Sequence, residues 1–193
     1  MRHPGEDPHS KSAWRTRLLA ARRAVPPSVR SVEASALVRA AMELPGDPVC
    51  CYLPVGSEPG SVELVTGLAG QGRRVLLPVV VGAAPLDWAI FDGVGSLAPG
   101  PFGLREPAGP RLGASAIGTA SLVLVPALAV DLAGRRIGKG GGHYDRSLPL
   151  VRAGVPLVAV VRDDEVVDEL PAEPHDVPMT AALTPIVGLR PLA

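Results

Sequence analysis

Residues 121–127 read Ser121-Leu122-Val123-Leu124-Val125-Pro126-Ala127. An unbroken apolar run of this length is the pattern of a strand buried on both faces of a sheet, and it is the strongest in the chain. Val49 to Leu53, Val75 to Val81 and Val155 to Arg162 repeat it. Leu86 to Phe91 reads as a further strand, antiparallel or at an edge, and Pro185 to Leu189 as the last.

Helical spacing fills the intervals. Lys11 to Ala24 carries Trp14, Leu18 and Leu19 on one face, with Arg15, Arg22 and Arg23 on the surface. Pro26-Pro27 opens a second helix whose apolar stripe is Val29, Val32, Ala36, Leu37, Ala40 and Ala41, ended by Pro45-Gly46. Ser61 to Ala69 reads as a third, capped by Ser61, with Val62, Val65 and Leu68 on one face. A short helix runs from His143 to Arg152, weakened by Pro149. Strands alternating with helices predict an α/β fold. It is a single domain over residues 11–193 with a mostly parallel open sheet flanked by helices, a Rossmann-like three-layer arrangement. Residues 1–10, with Pro4, Gly5 and Pro8, read as a disordered tail, and Gly93 to Gly113 as a long Gly/Pro-rich stretch.

Composition narrows the function. The 193 residues are 47% hydrophobic and 20% charged, enough to bury a core. Nineteen basic residues balance nineteen acidic ones, and aromatics make up 3%. A neutral chain poor in stacking rings lacks the footprint of a nucleic-acid binder. The apolar run from Ser121 to Val130 is about half the ~20 residues of a membrane helix, so no membrane is expected. Cys50 and Cys51 are adjacent, a poor geometry for a disulfide, and read as reduced core residues of a cytoplasmic protein. The only lysines are Lys11 and Lys139; the other basic residues are arginine. Each lysine stands out as a place for a compact, rotatable ammonium.

In open sheets, ligands sit beyond the carboxyl ends of strands. The loops after Leu53, Val130 and Arg162 qualify. The second contains Arg135-Arg136-Ile137-Gly138-Lys139-Gly140-Gly141-Gly142-His143-Tyr144-Asp145-Arg146. Glycines at 138, 140, 141 and 142 leave backbone N–H groups unshielded ahead of a helix start, an anion cradle to which Arg136 and Lys139 add charge. Phosphate binding follows. A Walker loop does not fit, because Gly134 to Gly138 is one residue short and Gly140 stands where a hydroxyl should follow Lys139. A dinucleotide fingerprint fails too, with His143 at its third glycine. Asp145 suits either a magnesium ligand beside phosphate or a helix cap. His143 suits packing or acid–base work.

Val125-Pro126-Ala127-Leu128-Ala129-Val130-Asp131, followed by Gly134-x-Arg136-Ile137-Gly138-x-Gly140-Gly141-Gly142-x-Tyr144-Asp145-Arg146, resembles the signature of 5-formyltetrahydrofolate cyclo-ligases, also called methenyltetrahydrofolate synthetases. Lys11-x-x-x-Arg15, Tyr52-Leu53-Pro54 with Glu58, Pro101 to Pro107, and Glu173 to Pro178 resemble further family segments in the same order. The resemblance implies ATP- and magnesium-dependent closure of 5-formyltetrahydrofolate to 5,10-methenyltetrahydrofolate, with release of ADP and phosphate, by a cytoplasmic monomer. It implies that Lys11, Arg15, Arg136, Ile137, Gly138, Lys139, Gly140, Gly141, Gly142, His143 and Tyr144 bind ATP. Lys139 and Arg136 are the catalytic candidates. Leu53 and Glu58 would hold the folate, bordered by Lys139 to His143, and Asp145 and Asp176 would hold Mg2+. Phe102 is expected to cover the core. Two alternatives remain open at the level of sequence. One is a related nucleotide-binding module without cyclo-ligase activity, the other an ATP-dependent enzyme acting on a different amide or carboxylate.

Overall fold

The computed structural model describes residues 10–174 and 176–193. Of the tail expected over residues 1–10, all but Ser10 lie outside the described residues, as does the side chain of Phe102. The elements in chain order are α1 (Lys11–Ala24), α2 (Pro27–Met42), β1 (Val49–Cys50), α3 (Val62–Gly70), β2 (Val75–Val79), β3 (Asp87–Ile90), β4 (Leu97–Pro99) and β5 (Arg105–Pro107). They continue with β6 (Leu122–Pro126), β7 (Ala129–Asp131), β8 (Arg136–Ile137), α4 (His143–Ser147), β9 (Leu157–Val160), β10 (Val166–Val167), β11 (Ala181–Thr184) and β12 (Gly188–Pro191).

Seven strands form the central sheet in the order β12-β11-β9-β6-β1-β2-β3. The five inner strands are parallel, and the edges β12 and β3 are antiparallel to their neighbours. The expected α/β class and the antiparallel edge strand are therefore present. Side chains alternate across the sheet as strand geometry demands. Leu122, Leu124, Val158 and Val160 face one side, packed with Leu37 and Ala41 of α2 and Leu64, Val65 and Leu68 of α3. Val123, Val125, Leu157 and Ala159 face the other, with Trp88, Ile117 and Leu148. That second side is covered by short pieces: a 3-10 turn at Ala114–Thr119, α4, and a 3-10 turn at Leu148–Leu150. Burying each such Leu contributes ~1.5–3 kcal/mol.

A satellite sheet of order β10-β7-β8 sits beside the carboxyl end of β6, and α1 packs on it through Leu18, Leu128, Ile137 and Leu170. Gly134 permits its turn. It has φ +81°, and a β-carbon there would meet the Met179 carbonyl oxygen at 2.3 Å. The fully buried Asp131 carboxylate accepts N–H groups from Ala133, Arg135 and Leu170 at 2.8–3.0 Å, fixing the approach to the glycine loop.

Several expectations are corrected. Arg22 is buried, because it falls on the Leu18 face of α1 and donates to Glu165 and to the Ala127 carbonyl. Val29 and Val32 are exposed, and α2 packs through Ala34, Leu37 and Ala41 instead. The Ser61 hydroxyl does not cap α3. The Val49–Leu53 run pairs as a strand only over β1, and the last strand is displaced: Pro185 to Val187 form the turn between β11 and β12. The Gly/Pro-rich stretch folds partly as the β4–β5 hairpin, and the helix after the glycine loop ends at Ser147. The acidic segment Asp163 to Glu173 contains β10 and the buried Glu165.

Candidate active site

The carboxyl ends of the strands open into a cavity of about 680 Å³. Its walls come from α1, from the loops after β1 and β2, from the β4–β5 hairpin, from the glycine loop and from the segment around Glu173 and Asp176. Of the expected site residues, Lys11, Arg15, Leu53, Glu58, Arg136, Gly138, Lys139, Gly140, Gly141, Gly142, His143, Tyr144, Asp145 and Asp176 all line it. Ile137 does not. Its side chain points into the α1 satellite core, and its carbonyl accepts the Leu128 N–H at 2.7 Å.

Among the described residues, the amides from Lys139 to Gly142 have no protein acceptor. Donors left unpaired in a folded chain are available to an anion. Gly142 holds the left-handed conformation that starts α4 (φ +65°), and a β-carbon there would press on Arg146 Nη1 at 2.6 Å. With only five residues in α4, the helix dipole contributes little, so the amides and nearby cations carry the attraction. Gly140 faces Arg15, whose Nε donates to the Gly138 carbonyl at 3.0 Å. The first helix thus braces the loop from outside.

Cations and carboxylates meet in pairs around this loop. Lys11 Nζ lies 2.7 Å from Glu173 Oε2 and 2.8 Å from Asp176 Oδ2. Burial works against its charge, but the hydrogen bonds and fields of Asp176 and Glu173 outweigh that and hold the ammonium above its ordinary pKa. Arg136, almost wholly buried, donates from Nη2 to Asp145, while its Nε has no acceptor among the described residues. Lys139 Nζ reaches Glu58 Oε1 at 2.7 Å, and Glu58 Oε2 accepts the Val55 N–H at 2.8 Å. Tyr52, beneath that loop, donates to the Pro59 carbonyl at 2.6 Å. The Tyr144 hydroxyl is buried without a partner among the described residues, and burial first, then Cys51 and Glu58, pushes its pKa well up, so it stays protonated as a donor.

Asp145 and Asp176 offer hard oxygen ligands, as magnesium prefers. Among the described residues, no group of three acidic, histidine or cysteine side chains is placed to hold a metal alone. The donor set therefore fits an ion that brings phosphate oxygens with it. Buried Cys51 has its thiol pushed up to about 12 by desolvation and is no nucleophile. Thr180 clips onto Leu157, taking its N–H and donating to its carbonyl, away from the cavity. Among the lining residues missed at the level of sequence, two carry buried charge within the cavity wall. Arg22 was assigned to the surface, and Glu106 lay in a segment noted only for its family likeness.

No described helix is long and apolar enough to cross a membrane. The sequence matches the model of the 5-formyltetrahydrofolate cyclo-ligase family over residues 7–185. It is 52% identical to the 5-formyltetrahydrofolate cyclo-ligase of Mycolicibacterium smegmatis, over 95% of this chain and 99% of that one. It is 29% identical to the Escherichia coli protein of the same name, over 71% of this chain and 77% of that one. In fold it resembles the Aquifex aeolicus 5,10-methenyltetrahydrofolate synthetase solved by NMR, with a TM-score of 0.78 and 26% identity over 94% of this chain and 92% of that one.

Proposed function

The chain belongs to the 5-formyltetrahydrofolate cyclo-ligase family, and from that premise we propose that its cavity binds ATP and 5-formyltetrahydrofolate side by side and closes the folate to its 5,10-methenyl form. The observation that carries this reading is the convergence on one cavity of an uncommitted amide loop, the cations Lys11, Arg15, Arg136 and Lys139, and the Glu58 loop.

The formyl oxygen of an N-formyl group is a poor leaving group. Transfer of the γ-phosphoryl to it, with ADP departing, converts it into a good one. N10 then adds to the formyl carbon and loses its proton, and cleavage of the C–O bond releases phosphate. Such transfers need positioning and charge neutralisation more than a protein nucleophile. Lys11 and Arg15 approach the phosphates from α1, and the amides of Gly140 to Gly142 donate to them. Arg136 and Lys139 counter charge as it builds on the transferred group. Tyr144 supplies a hydroxyl donor at the cavity wall. Leu53 packs on the pterin, and Glu58 accepts its N–H groups. Asp145 and Asp176 would hold Mg2+ against the phosphate oxygens, where it supplies further neutralisation. The protein acts in the cytoplasm as a monomer.

Purified protein mixed with Mg-ATP and 5-formyltetrahydrofolate should generate the near-ultraviolet absorbance of the methenyl product. Formation should require both nucleotide and metal. No absorbance change with all three present overturns the reading.

A further inference from the structure

Glu106 stands on β5, paired across the hairpin with Ala98 of β4, and its side chain reaches the cavity between Pro78, Val80, Leu86 and Leu104. It is 7% exposed. One carboxylate oxygen accepts the Val80 N–H at 2.8 Å, and among the described residues no cation pairs with it. Arg105, its neighbour in the chain, donates instead to the Val94 carbonyl at 3.3 Å. The space for the carboxylate is made by Gly100, where a β-carbon would sit 2.7 Å from Glu106 Cδ. A buried carboxylate with a single backbone donor and apolar neighbours carries unused acceptor capacity at a desolvation cost. Glu58 differs in this respect, since Lys139 already neutralises it.

We infer that Glu106 is a specificity-determining residue that reads the pyrimidine edge of the folate ring, its carboxylate accepting the 2-amino and N3 hydrogens and leaving the N8 hydrogen of the pterin to Glu58. This rests on the folate reading above. The pyrimidine half of a reduced pterin is flat and largely apolar in its faces, which suits Pro78, Val80, Leu86 and Leu104, and its edge presents adjacent N–H donors that match one carboxylate. The glycine loop and Glu106 line one cavity, with the nucleotide assigned to the first and the ring edge to the second.

The test is calorimetric titration of the whole protein with 5-formyltetrahydrofolate and with its 2-desamino analogue, each in the presence of a non-hydrolysable ATP analogue. Glu106→Gln keeps an oxygen for the Val80 N–H and should weaken folate binding about 10- to 100-fold, the range for a hydrogen bond to a charged group, while the ATP analogue binds as before. Loss of the 2-amino group should weaken binding to the wild-type chain by a similar factor, with little further loss in Glu106→Gln. Glu106→Asp, one methylene short, should show the same insensitivity to the 2-amino group. Equal losses of the 2-amino contribution in wild type and both variants overturn the inference, as does unchanged folate affinity in Glu106→Gln. A wild-type chain that binds the ATP analogue but neither folate overturns the functional reading instead.

Discussion

Lys139 Nζ and Glu58 Oε1 lie 2.7 Å apart, joining the glycine loop to the loop after β1 across the mouth of the cavity. The lysine side chain is half exposed and the carboxylate mostly covered. Each partner is assigned to a different one: the ammonium to phosphate, the carboxylate to the pterin. On the proposed assignments, binding would exchange partners rather than fill empty positions.

Glu58→Gln should accordingly tighten ATP-analogue binding while weakening that of the folate. Freed from a partly exposed pair worth ~0.2–1 kcal/mol, Lys139 should improve nucleotide affinity up to about fivefold. Titration calorimetry with the analogue alone checks this. Weaker nucleotide binding in the variant would show that the pair orders the loop and does not compete with phosphate.

Lys139→Ala and Asp145→Ala should each lower turnover by at least about tenfold, as lost neutralisation of phosphoryl transfer requires. Steady-state formation of the methenyl product measures both. Unchanged rates in the two variants refute the roles assigned to them.

Arg22 and Glu165 form a buried bidentate pair, Nε to Oε1 at 2.6 Å and Nη2 to Oε2 at 2.7 Å, and Nη2 also donates to the Ala127 carbonyl. Removing one member strands the other, so Glu165→Leu should destabilise the fold by ~3–5 kcal/mol. For a domain of this size that lowers Tm by roughly 6–20 °C. The double variant Arg22→Met with Glu165→Leu should recover most of the loss in scanning calorimetry, because no buried charge is then left alone.

The Cys51 thiol, raised to about 12 by burial, stays protonated in the folded chain. In the unfolded chain it ionises near the ordinary thiol value of ~8.5. A folded pKa above the unfolded one contributes stability that is complete below the unfolded value and lost as pH rises toward the folded one. Cys51→Ser should therefore flatten the decline in melting temperature between pH 9 and pH 12. At pH 8 the native protein should resist thiol reagents that label it at once in denaturant.

The glycine loop and its cations were legible because their chemistry is local. Gly138 to Gly142, Lys139 and Asp145 are neighbours in sequence, and the topology rule for open sheets placed them correctly at a strand end. Arg22 was not legible as a buried residue, although it stands four residues after Leu18 on the same helical face. Its charge argues for the surface, and Glu165, which reverses that, is 143 residues away. The last strand was misplaced because Ile186 and Val187 are apolar yet exposed in a turn. Ala181 and Ala182 have weak strand propensity and pair because β9 offers a parallel edge on one side and β12 an antiparallel one on the other. The satellite sheet escaped because strands of two or three residues carry no periodicity.

The contact between Lys11 and Asp176 spans 165 positions of the chain. During synthesis the sheet strands from β1 to β9 are already made before that clasp has its second half. The clasp is thus a late property of the nascent polypeptide, and an interrupted translation product ending before residue 176 would carry Lys11 and the glycine loop without it.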